Sequence, residues 1–302
     1  MGGCAKHMQA KRPSSGTADA TVAGMHARFG DYDVVAPLAS GGMGGVFLAM
    51  HRTTGARVAL KVLDPMFADH AEVVERLFAE RDVSARTSHP GLVDIREAAR
   101  SSEDVPFLVM EYLEGEPLSS IIERGAGWID LETIVGLSAQ VATALAAMHE
   151  VGVTHCDVKP DNLFVLRDGT VKVIDFGVAR LVEEPPPDNA SIAGTPAYMA
   201  PEQWRGKPEC ATDVYSLGCV MYELLTGNVP FDGSLPELMI AHLDQRPGRI
   251  SWLRAAVPVE LERLVMRALA KAPGLRPQMA ELAQALERLA GRTPNATLRM
   301  AG

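Results

Sequence analysis

His155-Cys156-Asp157-Val158-Lys159-Pro160-Asp161-Asn162 is the stretch on which the reading of this chain turns. It packs an acid, a base and an amide together just after a long helical pattern. Asp157 can accept a hydroxyl proton, Lys159 can neutralise developing anionic charge, and Asn162 can offer an oxygen to a hard cation. A polar turn with solvated charges uses the same residue types, so the stretch needs partners elsewhere in the chain.

Candidates stand on both sides of it. Downstream, the apolar run Val171-Lys172-Val173-Ile174 delivers Asp175-Phe176-Gly177, a carboxylate at a strand end that would share a cation with Asn162. Upstream, the glycine cluster of Leu38-Ala39-Ser40-Gly41-Gly42-Met43-Gly44-Gly45-Val46 lets backbone amides approach phosphate oxygens without side-chain obstruction. Val58-Ala59-Leu60-Lys61 ends an apolar strand pattern in a lysine. Glu80 lies on an amphipathic pattern, His70 to Ser88, in which Val73, Val74, Leu77, Phe78 and Arg81 recur at helical spacing. Each also has a plain explanation: a hairpin turn, an exposed lysine, a solvated acid.

Periodicity divides the chain in two. Tyr32–Leu38, Val46–His51, Arg57–Leu63, Val93–Ala98 and Phe107–Tyr112 read as strands of a small antiparallel sheet, interrupted by the one helix that carries Glu80. After Gly115 the pattern turns to long helices: Leu131–Glu150, Ala211–Leu225, Leu235–Leu243, Pro258–Ala270 and Met279–Ala290. Asp130 suits an N-cap, and Gly227 a left-handed C-cap. Met1 to about residue 28 lacks apolar periodicity and reads as a flexible leader, and 291–302 as a tail. One unit, 29–290, accounts for nearly everything between.

The 302 residues are 47% hydrophobic and carry a formal net charge of −9, with no basic run longer than Lys11-Arg12. That argues for a globular chain and against a nucleic-acid partner. The apolar stretch Ile134–Met148 is broken by Ser138, Gln140 and Thr143 and reads as too short and too polar to cross a bilayer. The leader has no apolar core of signal-peptide length, and Cys4 lacks the preceding apolar segment that lipid attachment would suggest. Cys4, Cys156, Cys210 and Cys219 show neither metal spacing nor disulfide density. A cytoplasmic chain with no membrane anchor is the expectation.

The order and spacing of these pieces match the protein-kinase signature set. The sequence resembles the eukaryotic-like (Hanks-type) bacterial serine/threonine kinases from about Phe29 to Ala290. Carrying the resemblance further are His89-Pro90-Gly91-Leu92-Val93, Val109-Met110-Glu111-Tyr112-Leu113, Gly194-Thr195-Pro196-Ala197-Tyr198-Met199-Ala200-Pro201-Glu202 and Asp213-Val214-Tyr215-Ser216-Leu217-Gly218.

The resemblance implies an α+β, bilobal fold. An N-lobe of small antiparallel sheet and one helix (29–112) would sit on a larger, mainly helical C-lobe (116–290). It implies phosphoryl transfer from ATP to serine or threonine hydroxyls of protein substrates, with Mg2+. Asp157 would be the base, assisted by Lys159 and Thr195. Lys61, paired with Glu80, would hold the α- and β-phosphates, and Asn162 with Asp175 would hold magnesium. ATP contacts would come from Ala39, Ser40, Gly41, Gly42, Met43, Gly44, Val46, Ala59, Lys61, Phe164 and Asp175. Met110 would guard the hinge, where Glu111 and Leu113 offer backbone groups to adenine. Glu202 would form a buried structural ion pair with Arg276, and a homodimer through the N-lobe would follow some relatives.

Three departures stand out. Ala39 replaces the family's usual first loop glycine, which predicts a tuned ATP affinity. Cys156 replaces the arginine that in most relatives receives an activation-loop phosphate. The loop 178–194 holds one hydroxyl residue, Ser191, and the acidic run Glu183-Glu184-Pro185-Pro186-Pro187-Asp188. Together, the last two predict activity without loop phosphorylation. Cys156 reads either as a packing residue or as a thiol switch beside Lys159. Two other functions stay open at this level: a pseudokinase scaffold, which Ala39 and Cys156 would favour, and a small-molecule kinase, against which 194–202 speaks.

Overall fold

The structure is a computed structural model that describes residues 28–125, 129–177, 179–181 and 194–291. The alternating segments form β1 (Arg28–Phe29), β2 (Tyr32–Gly41), β3 (Gly44–His51), β4 (Arg57–Leu63), β5 (Ile95–Arg100) and β6 (Pro106–Glu111). They make one antiparallel sheet in the order β1-β2-β3-β4-β6-β5. Period-two alternation sorts β4: Val58, Leu60 and Val62 join Phe47, Phe107 and Val109 in a small core on one face, while Ala59 and Lys61 belong to the other. Against the sheet lies α1 (Ala71–Arg86), which buries Val74, Leu77, Glu80 and Val83. An acid therefore occupies a position where the helical period calls for an apolar side chain.

The second lobe contains β7 (Gly115–Pro117), α2 (Leu118–Gly125), α3 (Leu131–Glu150), β8 (Val153–Thr154), β9 (Leu163–Leu166), β10 (Val171–Val173) and β11 (Arg180–Leu181). It continues through α4 (Pro201–Trp204), α5 (Cys210–Thr226), α6 (Leu235–Asp244), α7 (Ile250–Leu253), α8 (Val259–Ala268) and α9 (Met279–Ala290). Asp130 caps α3 by accepting the Thr133 N–H at 2.8 Å, and α5 ends on Gly227 at φ 75°. A single apolar cluster runs across both lobes, from Leu77, Leu92 and Leu108 to Leu145, Leu163 and Leu217.

Two expectations are corrected, and two short elements are added. The strand expected over Val93–Ala98 starts at Ile95, because Val93 donates its N–H to Val173 O at 3.0 Å and so pairs with the second lobe. The short β7 and α2 lie outside the elements expected from the sequence, although Leu118, Ile121 and Ile122 of α2 stand at helical spacing; of α2 only Leu118 is buried. The helix around Ile134–Met148 has 20 residues and a mean hydropathy of 1.4, which is the length and composition of a membrane span. In this fold its apolar side faces protein, and Ile134, Ala142, Leu145 and Met148 are fully buried.

Candidate active site

The cleft is built between β2, β3 and β4, the helix α1, and Asp175 and Gly177 just past the end of β10. β2 and β3 form a hairpin in register Gly41↔Gly44 and Ala39↔Val46, so the glycine cluster is both a hairpin and a roof. Gly44 has φ 154°, and a β-carbon there would lie 2.1 Å from Val62 O, so no larger residue lets the roof close this tightly on β4. Beneath it is a cavity of about 440 Å³. All eight residues 39–46 line it, together with Lys61, Glu80, Asp175, Gly177 and Arg76. Ala59, Met110, Glu111, Leu113 and Phe164, expected at the adenine end, are not part of that lining. They flank the cleft: Ala59 pairs across strands with Met110, and Phe164 with Pro117 just past the hinge.

Lys61 Nζ lies 2.6 Å from Glu80 Oε1 and 2.8 Å from Asp175 Oδ1. Burial pushes the Glu80 carboxyl up to about 7, against the pull of the Lys61 ammonium. Burial disfavours the Lys61 charge, but the two carboxylates override it and raise its pKa. For Asp175 burial acts upward, yet Lys61 prevails and the carboxyl sits below its ordinary range. Asp175 is also held at φ 65°, a conformation a non-glycine residue keeps only when its surroundings impose it.

Asp157, 9% exposed, is surrounded by donors. Its Oδ1 accepts the Thr195 N–H and hydroxyl, both at 3.0 Å. Its Oδ2 takes Lys159 Nζ at 2.8 Å and Asn162 Nδ2 at 3.1 Å. Lys159 Nζ also donates to Thr195 Oγ1 at 2.9 Å, closing a triangle of three side chains. The five residues expected to do chemistry thus fall into two groups, Lys61–Glu80 and Asp157–Lys159–Thr195.

Asn162 and Asp175 are tied by the backbone, Ile174 N–H to Asn162 O at 2.9 Å. Asn162 spends its amide nitrogen on Asp157, and among the described residues neither its Oδ1 nor Asp175 Oδ2 takes a hydrogen bond. Two hard oxygen donors of this kind suit Mg2+ that completes its shell with phosphates and water. Among the described residues no cluster of three or more His, Cys, Asp or Glu forms a metal cage.

Sequence reasoning gave no role to Asp213, which is fully buried at the start of α5. It accepts the His155 N–H at 2.8 Å, the Cys156 N–H at 2.9 Å and His149 Nε2 at 2.8 Å. His155 in turn accepts the Asp157 N–H on Nδ1, which leaves Nε2 to donate to Ile174 O. Glu111 also has an unforeseen side-chain role, pairing with Lys172 Nζ at 2.6 Å and tying β6 to β10. The signal for Asp213 was an acid inside an otherwise apolar helical run. Cys156 is 3% exposed and its Sγ lies 3.7 Å from Thr154 O, as a packing residue would. Arg276 meets Glu202 at 2.6 and 2.8 Å, the expected buried pair. Ser191 and the acidic run 183–188 lie outside the described residues.

Known proteins resemble this chain in sequence and in fold. The protein kinase domain family matches residues 32–286. Serine/threonine-protein kinase Pkn1 of Myxococcus xanthus is 40% identical over 256 residues, which cover 82% of this chain and 36% of that protein. Serine/threonine-protein kinase PknA of Mycobacterium tuberculosis is 36% identical over 255 residues, covering 82% and 58%. The chain therefore spans between about a third and three fifths of the length of these two relatives. The crystal structure of the Mycobacterium tuberculosis PknI kinase domain superposes with a TM-score of 0.69 at 27% identity, covering 87% of this chain and 98% of that one. Sheet, cleft, buried pair and family match agree, and this chain belongs to the protein kinase domain family.

Proposed function

We propose that this chain is a serine/threonine protein kinase that transfers the γ-phosphate of ATP to protein hydroxyls. The observation that carries the reading is the Thr195 hydroxyl seated between Lys159 Nζ and Asp157 Oδ1. It fixes the carboxylate and a cation around the place a substrate hydroxyl would occupy.

In this reaction there is little covalent work for the protein, so positioning and charge neutralisation dominate. Lys61, held by Glu80, steadies the phosphates of bound ATP beneath the glycine roof. Asp157 orients the attacking hydroxyl and takes its proton, while Lys159 offsets charge on the transferred group. Asn162 and Asp175 would hold Mg2+, which would supply neutralisation of phosphate charge when bound. The Leu113 N–H donates to no acceptor among the described residues, which suits a hinge donor to adenine.

The proposal includes a set of Asp157 that needs no loop phosphate. Cys156 supports it: a buried thiol stands where a cationic phosphate receptor would be required. Self-association through the N-lobe is also proposed, supported by exposed Val35, Leu38 and Met50 on β2 and β3. So is a cytoplasmic setting, supported by Cys210 and Cys219, which form no disulfide among the described residues.

The test is incubation of the protein with Mg2+, labelled ATP and a generic basic protein, beside Asp157→Asn. Label on phosphoserine and phosphothreonine that vanishes in the variant is expected. Equal label with both, or none with either, would overturn the reading.

A further inference from the structure

Cys156 is one of three described non-glycine residues with a left-handed backbone, at φ 64°. Such a conformation is costly for a side-chain-bearing residue and persists only where neighbours fix both sides of the peptide. One side is accounted for, since the Cys156 N–H is held by Asp213. The other is the carbonyl that begins the peptide of Asp157. Its partner is Gln203, whose Nε2 donates to Cys156 O at 2.7 Å.

Gln203 belongs to α4, on the far side of the activation segment from Asp175, and is only 4% exposed. The same amide also abuts Gly194: a β-carbon there, at φ 126°, would lie 2.6 Å from Gln203 Nε2. Gly194 precedes Thr195, whose N–H and hydroxyl both bind Asp157 Oδ1. One amide thus touches the residue before Asp157 and the residue before its partner Thr195.

We propose that Gln203 is a positioning residue for Asp157: a neutral amide latch, from the Cys156 carbonyl to α4 and Gly194, that sets the carboxylate once the segment 194–204 has docked. In this scheme docking of α4 turns the site on by a hydrogen bond between uncharged groups, in the place where a phosphate and a cation would otherwise act. The inference rests on the phosphate-independent reading of Asp157 given above.

The experiment compares Gln203→Met, which keeps volume and loses the donor, with wild type and with Val265→Ala. The last variant opens a buried position on α8 remote from the cleft and serves as a control for lost stability. All are assayed with Mg2+-ATP and a generic basic protein, below the unfolding temperature of each, after phosphatase treatment and again after autophosphorylation. For Gln203→Met the expected result is a fall in kcat of about tenfold or more with KM for ATP held within about twofold, while Val265→Ala keeps kcat. Should Gln203→Met not fold, Gln203→Asn keeps the amide but lacks the reach, and the same signature is expected.

A kcat within about twofold of wild type would overturn the latch. So would a loss confined to KM for ATP, or one that Val265→Ala reproduces. If wild type works only after autophosphorylation, the phosphate-independent reading fails on its own, and the ratio of variant to wild type in the phosphorylated state still decides the latch.

Discussion

Thr195 Oγ1 and Asp157 Oδ1 stand 3.0 Å apart, with the Thr195 N–H on the same oxygen and Lys159 Nζ on the threonine hydroxyl. Thr195→Val keeps the backbone donor and the volume but removes the hydroxyl that joins acid and cation. A drop in kcat of about 10²-fold is expected, with KM for ATP unchanged, and Thr195→Ser should recover most of it. Steady-state kinetics on the three proteins check this.

Glu80 gives the site a pH dependence of predictable sign. Its carboxyl titrates near 7, so above that pH it is an anion that holds Lys61, and below it a neutral group that holds Lys61 less strongly. The ratio of kcat/KM for ATP, wild type over Glu80→Gln, should therefore be largest above pH 7 and decline to a plateau as the pH drops to 6. A flat ratio would contradict the assignment.

Arg276 and Glu202 are a structural pair. Arg276 also donates to the carbonyls of Ala270, Ala211 and Lys271, and Thr212 donates to Glu202. Arg276→Met leaves Glu202 buried without its cation, and a loss of about 3–5 kcal/mol in urea unfolding is expected.

His242 is fully buried, with Nδ1 on the Tyr215 hydroxyl at 3.0 Å. Burial and the Lys271 charge hold its pKa down from 6.5 to about 4. The unfolded chain therefore takes up this proton first as the pH falls. The stabilisation is full above pH 6.5 and is lost towards pH 4, by about 3 kcal/mol. Unfolding free energies of wild type should fall more steeply over that window than those of His242→Gln.

The lobes and the long elements were legible because alternation and helical period are properties of the residues themselves. Lys61, Asp157 and Asp175 were legible through spacing that no single turn or strand requires. The bonds of Asp213 and Gln203 were not, since each bridges groups far apart in sequence and neither residue type announces a partner. The separation of the cavity under the glycine roof from Met110, Leu113 and Phe164 was equally hidden, because it depends on how closely Gly44 brings the roof to β4. Strand ends shifted where pairing crossed between lobes, as at Val93.

The most direct test of the account is the turnover number of phosphatase-treated wild type and of Ser191→Ala, measured with saturating Mg2+-ATP against the untreated protein. All three are expected to agree within about threefold if, as proposed, Asp157 is set by Thr195, Lys159 and the Cys156 peptide and needs no phosphate. A fall of about a hundredfold or more on dephosphorylation or in Ser191→Ala would contradict it.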